Sequence, residues 1–476
     1  MRKLLAAIVV LAVILSFSSM AAAQWTKVGD GNGAQELLGN LWDFKRTVTN
    51  DIVVDSTGRI FVTSNNCQNG NDKGFVTIFT PSGSSYTRYD IDLQNCRLYD
   101  GNNTTPGSNV QGSITRLILG EDEDGNVCVY GVQNWMENNW DANAGHDVRI
   151  IQIRPDPNAS GQWAVRVMVN AGQNFDDRIE SIASGPNGGF VYTRNGNSNY
   201  WKYNYFWKYD PVTQAHELAL PPNTNSGWSR IHKLYNIEYV GGDWWAIFHT
   251  TESSNNEYNL SAIGINKNRR NAANGQNPNS GAYYGIARPT TPLSYDPVNN
   301  RLWYGGRGRY QNGDWHNMII RWDGDPNSNT GLFTATEDDP KTGITTQKIG
   351  HAFPKGVGEQ YGSWIWVSAL AANPNDGSGW FAMSETIGPY DNYIYPYSLD
   401  NVYVKFDIPY VEGLAIQSMG APQPGNANRV MALTIKGDTA YALVVNRTTG
   451  VYSVYKRSAI VSQYGNTASL ADVKKG

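Results

Sequence analysis

The chain is short of cysteine, short of charge and, past its first residues, without any long apolar run. Three cysteines in 476 residues cannot build a disulfide framework, so packing must hold the fold. Charged residues make up 17%, below the roughly 25% of ordinary globular chains, which excludes charge-driven disorder. With 38 Lys and Arg against 42 Asp and Glu, the net charge is -4, which argues against a general nucleic-acid binder. Beyond residue 23 no stretch approaches the roughly 20 apolar residues of a membrane-spanning helix. Also missing are the G-x-S-x-G elbow, the P-loop, C-x-x-C, H-x-H and H-E-x-x-H, and with them the commonest nucleophile, nucleotide and zinc signatures. What the chain has instead is 49 Gly and 50 Asn beside 12% aromatic residues. Turn formers mixed with aromatics describe many short strands joined by tight turns.

Residues 1–23 read as a secretory signal peptide. Arg2 and Lys3 precede an apolar run from Leu4 to Leu15, and Ala21-Ala22-Ala23 offers a cleavage site before Gln24. The expected destination is the periplasm or the medium of a bacterium. Cleavage removes Arg2 and Lys3 and moves the net charge from -4 to -6. Export permits a disulfide, for which Cys67 and Cys96 are the candidates, both read as lying in polar loops. The alternative is three reduced thiols. Cys128, inside Val127-Cys128-Val129-Tyr130, reads as a buried free thiol.

From residue 24 onward a unit recurs: apolar strand, tight Asp/Gly/Asn turn, strand ending in aromatics, polar loop, third strand. Its clearest copy runs Ile52-Val53-Val54-Asp55-Ser56-Thr57-Gly58-Arg59-Ile60-Phe61-Val62. Seven copies have hairpins centred near residues 55, 124, 187, 242, 298, 376 and 437. A third strand follows in most copies, as in Phe75–Phe79, Arg149–Ile153, Tyr205–Tyr209, Met318–Trp322 and Val451–Tyr455, and a fourth is fainter. The expected fold is all-β, residues 24–476 forming a single β-propeller of seven four-stranded blades. Each unit takes about 65 residues, more than compact propeller repeats, with the excess in loops. Trp25 to Val28 are expected to complete the last blade from the other end of the chain and cover its edge. The hairpin pattern D-x-x-G-x-apolar-aromatic-apolar resembles NHL-type and two-component-regulator propeller repeats. That resemblance is loose and implies fold alone. Neither the sialidase Asp-box nor a WD40 signature is present.

A propeller sorts its loops onto two faces. The Asp/Gly turns fall on one face and read as structural. Loops on the other carry Trp135, Trp140, Tyr200, Trp201, Tyr310, Trp315, Tyr390, Tyr393, Tyr395 and Tyr397 among Asn, Gly, Asp and Ser. Rings beside amides and hydroxyls suit sugars, which stack their C–H faces and hydrogen-bond through hydroxyls. The same rings can also hold long loops down. Six units place an arginine near the start of the innermost strand: Arg46, Arg116, Arg178, Arg230, Arg288 and Arg429. Arranged around a funnel, they would take carboxylate or sulfate. The competing reading pairs each with a nearby acid such as Asp43 or Asp177 and staples blades together. His232 and His351, read as lying near innermost strand starts, are the candidates for proton transfer. Asp323, Asp325 and Asn327, like Asp122, Asp124 and Asn126, alternate as calcium ligands do. Asx turns explain both loops, so no cofactor is expected, with calcium the alternative. The Asn-rich stretch 266–280 reads as a loop on the turn face.

Three functions compete. The first is a secreted binding module for carbohydrate, neutral or anionic, or for an extracellular protein. The second is a polysaccharide lyase acting on uronates, by analogy with propeller lyases that keep Arg, His and Tyr in the funnel. The third is an extracellular scaffold.

Overall fold

The computed structural model describes residues 25–34, 51–68, 71–110, 112–134, 148–170, 179–195, 204–220, 231–240, 243–250, 260–265, 288–289, 291–299, 301–309, 315–322, 350–352, 365–385, 402–405, 416–418, 428–446, 449 and 451–460. Among them the strands form seven sheets, each built on an antiparallel meander that starts at its inner strand. The first is Ile52–Val54, Ile60–Gln68, Asn71–Ser82 and Ser85–Asp92. The third is Ile179–Ser184, Phe190–Asn195, Asn204–Asp210 and Ala215–Leu220. The sixth is Ile365–Ala372, Gly379–Glu385, Val402–Lys405 and Ile416–Ser418.

The first strands of the seven sheets touch in cyclic order: Ile52–Val54, Ser113–Glu121, Ile179–Ser184, Ile231–Val240, Ser294–Asp296, Ile365–Ala372, Asn428–Lys436, and back to Ile52–Val54. A closed circuit of meanders that all begin at the centre is a β-propeller. Closure comes from both ends of the chain. Thr26–Ala34 pairs antiparallel with Val451–Ser458, so the seventh sheet takes its outer strand from the start of the sequence, as expected of Trp25 to Val28. That pairing covers an edge otherwise open to another chain.

Strand alternation builds the interior. In Thr439–Asn446, Ala440, Ala442 and Val444 face the sixth sheet and pack with Ala369, Ala371, Trp380 and Ala382. Tyr441, Leu443 and Val445 face the other way, onto Ile52, Val54, Ile60 and Val62 of the first sheet. Successive side chains on opposite faces let one strand fill two inter-sheet layers. The first and second sheets, and the second and third, enclose similar layers. Side chains of the inner strands add hydrogen bonds between sheets. The Asp51 carboxylate accepts the Leu117 N–H at 2.9 Å, Ser181 Oγ accepts the Ile237 N–H at 3.2 Å, and Ser294 Oγ accepts the Ala372 N–H at 2.9 Å.

The Asp/Gly turns are structural. Asp55 Oδ1 accepts the N–H groups of Thr57 at 2.8 Å and Arg59 at 2.9 Å, while Gly58 takes φ +82°, where a side chain would be strained. Burial pushes the Asp55 carboxyl up, but these bonds and Arg59 outweigh it and hold it below the usual carboxylate range.

Several sheets depart from four plain strands. The second adds an outer hairpin, Cys96–Tyr99 with Thr104–Ser108, through a parallel contact of Leu98 with Val165. Three strands of the fourth sheet are described, and the fifth opens with two short pieces, Arg288–Pro289 and Ser294–Asp296. The hairpin corrects the reading of Cys96 as a loop residue. Cys96 opens a strand, is 3% exposed, and packs with Ile91, Leu93 and Val110. Cys67 likewise lies in a strand, Ile60–Gln68. Cys96 is a free thiol, so the disulfide with Cys67 is not formed; its sulfur is committed to an apolar cluster. Cys128 is free and buried as expected, its thiol pushed up to about 12 by burial. Among the described residues no helix is long and apolar enough to cross a membrane. Residues 1–23, read from sequence as a signal peptide, and the stretch 266–280 lie outside the described residues.

Candidate functional site

The first strands enclose the central channel, and most of them carry a β-bulge. Register shifts fall between Ile114 and Arg116, Ile179 and Ser181, Leu234 and Asn236, Val367 and Ala369, and Val430 and Ala432. Each lies a few residues before its sheet's first turn. Bulges bend a strand and re-aim its side chains, and they recur beside functional sites.

Arg116 follows the bulge of the second sheet. Its Nη2 lies 3.7 Å from Oε2 of Glu238, near the end of the fourth sheet's first strand. The third sheet stands between these two in the ring, so the pair meets across the channel interior. Both side chains are 15% exposed. At 3.7 Å the contact is an ion pair and too long for a hydrogen bond. Arg116 Nε is buried and has no hydrogen-bond partner. Burial pushes the Glu238 carboxyl up to about 7, against Arg116 and the Tyr239 N–H, which favour the charged form.

Asp51 is also within electrostatic reach of Arg116. Burial raises its carboxyl too, opposed by Arg116 and the N–H groups of Leu117 and Ile52. Its Oδ1 accepts from Ile52 and its Oδ2 from Leu117, both at 2.9 Å. Asp51 fastens the second sheet to the first.

Of the six arginines, Arg116 is the one whose side chain is described. Its ion pair is with an acid two sheets away; Asp43 and Asp177 lie outside the described residues. Arg288 and Arg429 fall in first strands, as expected, at the starts of Arg288–Pro289 and Asn428–Lys436; their side chains lie outside the described set. Arg46, Arg178 and Arg230, and Trp135, Trp140, Trp201, Tyr310, Tyr393 and Tyr395, lie outside the described residues. Trp315 opens Trp315–Trp322 opposite Arg309, where the second-to-third loop re-enters its sheet. His232 is the second residue of a first strand, as read. His351 is a correction. It sits in Gly350–Ala352, opposite Ile319, in the outer strand of the fifth sheet. The edge formed by Met318 to Ile320 takes this segment as its partner, and the inner strand of the next sheet begins only at Ile365.

Asp323, Asp325 and Asn327 are outside the described residues. The sister loop is described, and a guanidinium fills it. Arg154, 1% exposed, reaches Asp122 Oδ2 at 3.0 Å and Asp124 Oδ2 at 2.9 Å, and also grips Glu123. Asp122 Oδ1 accepts the N–H groups of Asp124 and Asn126, an Asx turn. Among the described residues no three His, Cys, Asp or Glu side chains cluster to hold a metal. Glu238 escaped the sequence reading, which followed cations. Its signal was an acid within the otherwise apolar and aromatic run Ile237-Glu238-Tyr239-Val240, directly before a Gly-Gly turn.

No protein-family model matches the chain. No curated protein matches it either. Solved structures do. The polysaccharide lyase Uly1 is 9% identical over 90% of this chain and 93% of its own, with a TM-score of 0.46. The Penicillium chrysogenum α-L-arabinanase complexed with arabinobiose is 9% identical over 92% and 98%, with a TM-score of 0.39. Raptor of Chaetomium thermophilum is 12% identical over 91% of this chain, with a TM-score of 0.42, and the match spans 29% of Raptor's own length. The propeller assignment rests on the chain's own strand order and ring closure.

Proposed function

We propose that the protein is an exported carbohydrate-binding propeller of NHL-like repeats, whose ligand reaches Arg116 and Glu238 in the channel. The observation that carries this is the incompletely satisfied pair: a guanidinium with one long ion pair and a buried, unpartnered Nε, beside a carboxyl that burial pushes up to about 7. Sugar hydroxyls donate to the carboxyl and accept from the guanidinium, which completes both. The aromatic loops expected around the channel mouth would add stacking surfaces. The signal-peptide pattern read in residues 1–23 supports export. A uronate lyase is the second reading, and Glu238 favours it. A carboxyl that titrates near 7 beside a guanidinium combines a proton acceptor with a group that steadies a uronate carboxylate.

The test is a glycan array of neutral, uronic and sulfated oligosaccharides, with ultraviolet absorbance followed for unsaturated products. Binding is expected, and Arg116→Gln should weaken it about tenfold or more, roughly 1.4 kcal/mol. Growing absorbance would establish the lyase. Silence on every glycan would overturn the reading in favour of a protein partner or scaffold.

A further inference from the structure

We infer that Arg116 is the docking point for a ligand carboxylate, which displaces Glu238 from the guanidinium while Glu238 takes up a proton. The inference rests on the carbohydrate reading above and narrows it to glycans that carry a uronic acid.

Arg116 holds its present partner loosely: the contact to Glu238 is 3.7 Å, and Nε makes no hydrogen bond. A planar carboxylate presented to the fork can take two N–H donors in parallel, a geometry that the present contact lacks. Asp51, the other acid that Arg116 influences, has one oxygen on the Ile52 N–H and the other on the Leu117 N–H, and no ion pair between it and Arg116 occurs among the described residues. The site also requires that one negative charge leave as another arrives. Two carboxylates beside one guanidinium in a poorly solvated channel repel each other, and a proton on Glu238 removes that cost. Burial has already brought Glu238 to about 7, so the proton is available at physiological pH.

The strands packed against that of Glu238 carry several ionisable residues. Tyr192 and Arg194 come from the third sheet, and Tyr295 and Asp296 from the fifth. Glu180, Asp243 and His249 occupy positions on the adjoining strands. Among the described side chains the one that forms an ion pair with Glu238 is Arg116.

The test is calorimetric titration of a glucuronate-containing oligosaccharide, its carboxyl-reduced neutral counterpart and a sulfated analogue. Each is run at about pH 6 and about pH 8, in two buffers of different ionisation enthalpy. The competent form of the site has Glu238 protonated. With a midpoint near 7, the uronate should bind about tenfold more weakly at the higher pH, with close to one proton taken up there. Glu238→Gln should bind the uronate well at both values, without proton uptake. Arg116→Gln should lose at least tenfold for the uronate at the lower pH and little for the neutral counterpart. Circular dichroism confirms that both variants are folded. Uronate affinity independent of pH, or a pH dependence that survives Glu238→Gln, overturns the inference. So does tighter binding of the sulfated analogue with the same proton uptake. A neutral counterpart that binds as well as the uronate overturns it while leaving the carbohydrate reading intact. Failure of all three oligosaccharides to bind overturns both.

Discussion

Replacing Arg154 with methionine should cost about 3–5 kcal/mol, the toll of breaking a buried ion network from its central member. Arg154 is 1% exposed and holds Asp122, Glu123 and Asp124 together, with its guanidinium 4.9 Å from the Tyr99 ring. Methionine fills much of the volume but leaves Asp122, fully buried, and Glu123, 15% exposed, without their cation. Arg166 reaches Glu123 at 3.3 Å and compensates only one of them. The sign of the pH effect follows from Glu123. Burial pushes its carboxyl up, and its own N–H, Arg154 and Arg166 outweigh that and hold it below its ordinary value. In the native protein this contribution is present above the unfolded value of about 4.5 and fades as the pH falls through the lower folded value. In Arg154→Met the carboxyl rises instead, so the deficit should be largest near neutrality and shrink on acidification. Urea unfolding at two pH values measures both. A loss below about 1 kcal/mol would mean that the network is solvated rather than buried.

Deleting Thr26–Ala34 should do more damage still. The strand covers Val451–Ser458, and Trp25 beside it packs into the layer shared by the sixth and seventh sheets. Without it the ring is held by side-chain packing alone between its last sheet and its first, and a full strand edge is exposed. The loss should rival the whole stability of a domain, about 5–15 kcal/mol. The truncated chain should lose its single cooperative transition and associate through the open edge. A peptide spanning residues 25–34 should restore a monomer. Sedimentation velocity and thermal melting read the result. A truncated chain that stays monomeric with an unchanged melt would contradict ring closure by the first strand.

Periodicity made the fold legible. The hairpins at residues 55, 124, 187, 298, 376 and 437 all appear, because Asp or Asn, joined by Gly in every copy but that at 298, specifies a local turn. The closing strand was legible for the same reason: a sheet short of one strand needs an outer partner. The site was legible in part. An arginine near the start of an inner strand placed Arg116 correctly, since repeat position fixes depth in the channel. Its partner was not, because Glu238 lies some 120 residues away and only ring geometry brings the second and fourth sheets together. His351 was misplaced because three residues of outer strand carry too little pattern to separate them from the start of the next unit. Cys96 was misread because the hairpin it opens has no counterpart in the other repeats.

The most direct test is the titration of Glu238 itself, followed by carboxyl carbon NMR with Glu238→Gln to assign the resonance. The account predicts a midpoint near 7 in the native protein. It also predicts a higher midpoint in Arg116→Gln, because the guanidinium across the channel favours the charged form. A midpoint near the ordinary 4.5 in both proteins would put Glu238 in open solvent, out of reach of Arg116, and would remove the channel site.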